Sequence, residues 1–184
     1  MGKKITPGRF TVETDEPFVV FMAGVRVNNF FAFRKWVPAV VSIIPMVRTL
    51  MKHRSIGLIG IQPFVHWLGV GSIQYWRSFE DLERFARSKI DPHLPAWRRF
   101  NKTVGTDGSV GIWHETFLIE PAHYEVVYNN MPLFGLSMAT THKFVKHVPA
   151  VGHHETARRR LGDKNEPAVP TPPNPAHSEN LASD

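Results

Sequence analysis

The chain contains no cysteine in its 184 residues. That excludes disulfides, thiolate metal sites, iron–sulfur clusters, cysteine-ligated haem and thiol nucleophiles. Glycine-rich phosphate loops and the dinucleotide fingerprint are also missing. No spacing of two histidines and a carboxylate stands out for non-haem iron. HETAR, beginning at His154, lacks the second histidine of a zinc-protease helix, so no catalytic metal is expected. Long apolar runs are scarce too. The most apolar stretch, WVPAVVSIIPMV (Trp36–Val47), is too short to span a bilayer and carries Pro38 and Pro45. The opening MGKKITPGRF has no apolar core of a signal peptide, so a cytoplasmic protein without a membrane span is expected.

Hydrophobic residues make up 42% and aromatics 11%, enough for one globular domain. The formal charge of +6 is not gathered on one helix or interleaved with a nucleic-acid motif, so no nucleic-acid partner is expected. Its densest run, Arg158–Arg160, falls where the globular pattern fades. Beyond Leu161 the chain reads GDKNEPAVPTPPNPAHSENLASD, too poor in large apolar residues to offset its ordering entropy. The expected organisation is an N-terminal extension over 1–17, a folded domain over 18–146 and a flexible Pro-rich tail over 147–184.

FVVFMAGVRV (Phe18–Val27) reads as a strand, rich in β-branched and aromatic residues. A helix is expected from Arg34 to His53, with Trp36, Val40, Ile44, Val47 and Met51 at helical spacing and a kink at Pro45. Leu58–Trp67 and Val70–Arg77 read as two strands, Pro63 marking an edge or bulge in the first. Ser78 caps a helix whose first turn holds Glu80 and Asp81, and Asp91–Pro92 starts another. Val110–Leu118 and Tyr124–Asn130 are the last strands, with Asn129–Asn130 as a turn before Met131. With one extra strand, this is the β-α-β-β-α-β order of an α+β, ferredoxin-like fold. In FVVFMAGV both alternating sets are apolar, so both faces of the sheet need cover. Helices supply one cover, and the sheet of a second subunit is expected to supply the other, giving a homodimer; helices on both faces of a monomer would also satisfy the pattern.

Four stretches together, QYWRSFEDLERFAR (Gln74–Arg87), HLPAWRRFN (His93–Asn101), GIWHET (Gly111–Thr116) and YEVVYNNMPLFGL (Tyr124–Leu136), resemble a family of small monooxygenase-like proteins. That family is similar to a fungal secondary-metabolite monooxygenase and lies within the dimeric α+β barrel superfamily. The resemblance covers Phe18 to Leu136. It implies a monooxygenase acting on a flat apolar or phenolic molecule, either cofactor-free or haem-dependent. It also leaves room for a protein that binds a small molecule or haem without turnover. In the haem-degrading members of the superfamily the ligand histidine follows a Trp, Ser and aromatic pattern. Here Trp76, Ser78, Phe79 and Phe85 precede His93, although Pro92 and Pro95 depart from a continuous helix.

The candidate site residues follow. On a helix begun at Pro92, His93 shares a face with Trp97 and Phe100, as a haem ligand, a general base or a structural residue at the helix start. His114 shares a strand face with Ile112 and Thr116, opposite Trp113 and Glu115, so His114 and Glu115 cannot act on one atom. Arg26 and Arg77, at strand ends, suit an anionic oxygen or an ion pair. Tyr75, Trp76, Trp97, Trp113 and Tyr128 suit the walls of a flat apolar pocket as well as they suit a core.

Overall fold

The computed structural model describes residues 4–52, 56–87, 102, 104–138, 143–146 and 161. Its main body is a four-stranded antiparallel sheet in the order β3-β4-β2-β5. The strands are β2 (Phe18–Val27), β3 (Leu58–His66), β4 (Gly69–Trp76) and β5 (Val110–Ile119). Helix α1 (Phe33–Lys52) lies between β2 and β3 in the chain, and α2 (Phe79–Arg87) between β4 and β5. This is the ferredoxin-like α+β arrangement. Pro63 is tolerated because β3 is an edge strand, irregular between Leu58 and Gly60. Helix α1 continues through Pro38 and Pro45, and both prolines are exposed. No helix among the described residues is long and apolar enough to cross a membrane.

Strand parity assigns each side chain of β2 to a layer. Val19, Phe21 and Val25 face the helices, and two apolar clusters form there. One joins Val19, Leu58, Ile61 and Trp76 to Leu50 of α1 and to Leu82 and Phe85 of α2. The other joins Val25 and Val110 to Ala39 of α1 and to Val104.

Phe18 and Val20 face the opposite way. The expectation of a second subunit over that face is corrected for this end of the sheet, because the chain covers it with a second sheet of its own. Strand β1 (Ile5–Glu13) lies between β6 (Tyr128–Pro132) and β7 (Lys143–Lys146). The first 17 residues, read as an extension, thus contain a strand whose Phe10 and Val12 pack with Phe18, Tyr128 and Leu136. Phe10 stacks on Tyr128 at 5.0 Å, and Phe18 meets the edge of Tyr124 at 5.3 Å.

The last strand also starts later than Tyr124. Tyr124 and Val126 instead serve β1 and the turn after it: the Thr14 N–H donates to the Tyr124 hydroxyl at 2.7 Å and the Thr11 hydroxyl to the Val126 carbonyl at 2.5 Å. Asn129 and Asn130, expected as a turn, lie within β6. Asn130 takes a positive φ of 54° beside the irregularity in β1 and accepts the Gly8 N–H at 2.9 Å.

Helix α2 is fixed at its first turn. Ser78 caps it, accepting the Asp81 N–H at 3.2 Å. The buried Asp81 carboxylate is held by Arg77 at 2.7 Å and Arg84 at 2.8 Å, and it lies against Gly57. Gly57 has φ +99°, and its carbonyl accepts the Arg77 N–H at 2.9 Å. A Cβ there meets the carboxylate as well as an unfavourable φ. Gly57→Ala should therefore destabilise the fold by ~2–3 kcal/mol, measured as a lowered urea midpoint at unchanged slope. An unchanged midpoint would show that Asp81 does not need this contact.

The second core also holds all three tyrosines of the chain. Burial, with Tyr128 nearby, pushes Tyr75 up to about 12. Burial likewise raises Tyr124 and Tyr128. The unfolded chain releases these protons near pH 10 while the folded chain keeps them, so stability present below pH 10 is lost between pH 10 and about 12. In an alkaline titration the phenolate band at 295 nm should rise together with loss of the folded circular-dichroism signal. Independent early ionisation of any tyrosine would contradict its burial.

Candidate functional site

Between the two helix-side clusters the core is interrupted. Where β2, β4 and α1 face one another the side chains are small: Ala23, Ser72, Ala39 and Ser42. They leave a cavity of about 400 Å³ under α1 and α2, walled by Phe21, Val25, Ile43, Met46, Leu82 and Phe85 and reached by Ile112 and His114 of β5. Among the described residues its lining contains no Asp, Glu, Lys or Arg. The volume lies near the low end of small-ligand pockets, about 300–1,000 Å³.

Polar groups enter from the sheet. Ser72 and His114 both stand opposite Ala23, one on each side. They are therefore two strand spacings apart, about 9–10 Å at the backbone, with only a methyl group between them. The His114 ring lies 5.8 Å from that of Phe21. Because β5 is an edge strand, His114 is exposed at the rim. One pair further along β4, Gln74 stands opposite Phe21. Its amide nitrogen donates to Ser72 Oγ at 3.0 Å, and its carbonyl oxygen accepts the Trp76 indole N–H at 3.1 Å. Ser42 donates to the Ala39 carbonyl of its own helix at 2.7 Å.

The sequence candidates are distributed over several places. His114 is in the cavity lining, and Glu115, opposite Met22, is on the other face. Trp76 is fully buried beside the cavity, 5.5 Å from Phe85. Tyr75 and Tyr128 belong to the second core, on the far side of the sheet. Arg77 is bound to Asp81 and does not line the cavity. Arg26 and the Trp113 indole are on the outer face, where the indole lies over Gly24. His93 and Trp97 lie outside the described residues.

Sequence reasoning missed Ser72, Gln74 and His66. The first two carry a signal in VGSIQYW: polar residues alternate on the same parity as Trp76, a pattern that reads as a wet face until a helix is seen to cover it. His66 lies over Gly69 on the outer face, its Nδ1 3.0 Å from the Trp67 carbonyl oxygen and its Nε2 buried without a partner among the described residues. Among the described residues no group of three or more histidine or carboxylate side chains is placed to hold a metal ion.

No curated protein matches the sequence. Among solved structures an aldoxime dehydratase superposes with a TM-score of 0.52 at 15% identity, covering 65% of this chain and 39% of that one. At that identity the likeness shows the fold alone, and this chain spans well under half of that protein. SnoaB, a cofactor-independent oxygenase from Streptomyces nogalater, aligns with a TM-score of 0.39 at 14% identity over 56% of this chain and 92% of its own. A possible oxidoreductase from Bacteroides thetaiotaomicron gives 0.41 at 12% identity, over 58% and 100%. The Monooxygenase af470-like profile matches residues 18–136, which contain the whole four-stranded sheet with α1 and α2, and the chain belongs to that family.

Proposed function

We propose that the cavity is the active site of a cytoplasmic monooxygenase that oxidises a flat apolar or phenolic molecule without a bound cofactor. One observation carries this reading: a largely apolar cavity of small-ligand size, uncharged among the described residues, has an imidazole at its rim and a hydroxyl across from it. His114 takes a proton from an acidic ring CH₂ or phenol as a general base. The resulting carbanion or phenolate is rich enough in electrons to reduce O₂ itself. A CH₂ becomes C=O, one oxygen atom enters the product and the other leaves as water with the two hydrogens. The balance needs no outside reductant. Dry walls strengthen every dipole directed at the developing anion.

In the haem-dependent version His93 would hold the haem iron, which would supply the oxygen chemistry, and a haem titration followed in the Soret region separates the two. No saturable band is expected. A band saturating at one haem per chain and lost in His93→Ala would replace the cofactor-free mechanism. We also propose a homodimer across the outer face around Phe64 and Trp113, which are not members of the cluster that Phe10, Val12 and Tyr128 form with Phe18, to be checked by sedimentation equilibrium.

Anthrone, a planar ketone with an acidic CH₂, tests the activity in an oxygen electrode. The protein should accelerate conversion to anthraquinone above the spontaneous rate, with one O₂ consumed per product. His114→Ala should lower kcat by about 10²-fold or more. Ala23→Phe, filling the gap between Ser72 and His114, should abolish binding while leaving the melting temperature within a few degrees. Saturable binding without O₂ uptake above background would make this a binding protein instead.

A further inference from the structure

The hydrogen bonds running from Trp76 to Ser72 have only one possible direction. An indole N–H donates and cannot accept. Trp76 Nε1 lies 3.1 Å from Gln74, so the amide must turn its oxygen to the indole, because the flipped amide would set two donors face to face. Gln74 Nε2 therefore points along the strand to Ser72 Oγ, 3.0 Å away, and donates to it. The Ser72 oxygen is committed as an acceptor. No acceptor for its own hydrogen is found among the described residues, and the side chain lines the cavity. Trp76, Gln74 and Ser72 are 0%, 2% and 3% exposed, so bulk water does not reorganise the chain. Ser42 cannot replace Ser72, since its hydrogen is spent on the Ala39 carbonyl.

We infer that Ser72 is a preset hydrogen-bond donor that selects ligands bearing a carbonyl, quinone or phenolate oxygen on a flat apolar skeleton, with Gln74 as its positioning residue. This rests on the reading of the cavity as a ligand site. The placement of His114 extends the assignment. With Ser72 and His114 flanking Ala23, a six-membered ring with one contact at each end spans the gap. The acceptor oxygen then lies across the ring from the carbon that loses its proton. As that proton leaves, charge collects on the oxygen held by Ser72, where a donor in a dry site has its largest effect.

The test uses 9-fluorenone and fluorene, near-isosteric and differing by one acceptor oxygen, with no turnover required. In calorimetric titrations of the full chain, fluorenone should bind about tenfold or more tightly than fluorene, the return on one satisfied buried donor. Ser72→Ala should erase that preference while leaving the fluorene Kd within about twofold. Gln74→Leu, which frees the serine hydroxyl to rotate, should shrink it. In infrared difference spectra the fluorenone carbonyl stretch should fall on binding to the native protein and return in Ser72→Ala, a change that simple repacking would not produce. Equal binding of both probes to the native protein overturns the selection by Ser72 but leaves the site. A preference that persists in Ser72→Ala places the donor elsewhere and also overturns it. If neither probe binds, the ligand-site reading itself fails.

Discussion

A single buried donor, the Trp76 indole N–H, ties the core of this protein to its cavity. The indole is fully buried against Phe85, and it anchors the cluster that seats α2 on the sheet. Burying that N–H without an acceptor would cost roughly 1–3 kcal/mol. The acceptor is Gln74, two residues back on the same face of β4, which is where strand parity allows one. Gln74 then brings a second buried polar group with its own demand, met by Ser72. Satisfying the core thus leaves the Ser72 hydroxyl hydrogen at the cavity wall, beside the second hydrogen of the Gln74 amide. Packing, polar satisfaction and site chemistry are one constraint followed along alternate residues of one strand.

The cavity is a stretch of core left unfilled. Apolar clusters lie on both sides of it under α1, one around Trp76 and Leu50 and the other around Val25 and Ala39. The intervening positions carry Ala23, Ser72 and Ser42. An empty void in a core costs about 24 cal/mol per Å³. Water enters this space beside the edge strand, so that figure is an upper bound for it. Larger side chains at these positions would close it with no change of fold. Keeping them small suits a protein that places another molecule there.

Much of the architecture was legible because it is local. Strand β2 stands at the expected residues, α1 within one residue at each end, and Ser78 caps α2 as its position implied. The second sheet was not legible. Pro7 and Gly8 interrupt the alternation of β1, and its register against β6 depends on an irregularity met by Asn130, more than a hundred residues away. The same limit applies to the site. Alternation placed His114 apart from Glu115, as the register shows. It was silent on Ser72 and Gln74, because polar residues at every second position look identical whether they face water or lie under a helix. Arg77 shows the converse: it closes an ion pair with Asp81 four residues on, a pairing that helix spacing permits but does not require.

Parity also separates chemistry from charge. Glu115 and Arg26 belong to the outer face, opposite Met22 and the glycines 69 and 111, while His114, Ser72 and Gln74 belong to the inner one. Among the described residues the cavity therefore presents neutral dipoles and one imidazole, with no fixed charge. A neutral, poorly soluble ring system enters such a space with little desolvation penalty, whereas an anion would not. Once a proton passes to the imidazole, the same space holds an ion pair of its own making, with the donor at Ser72 on the anion and the new cation across the ring. For the proposed reaction, the site binds the neutral form and stabilises the charged one. That difference between ground state and transition state is the part of binding that accelerates a reaction.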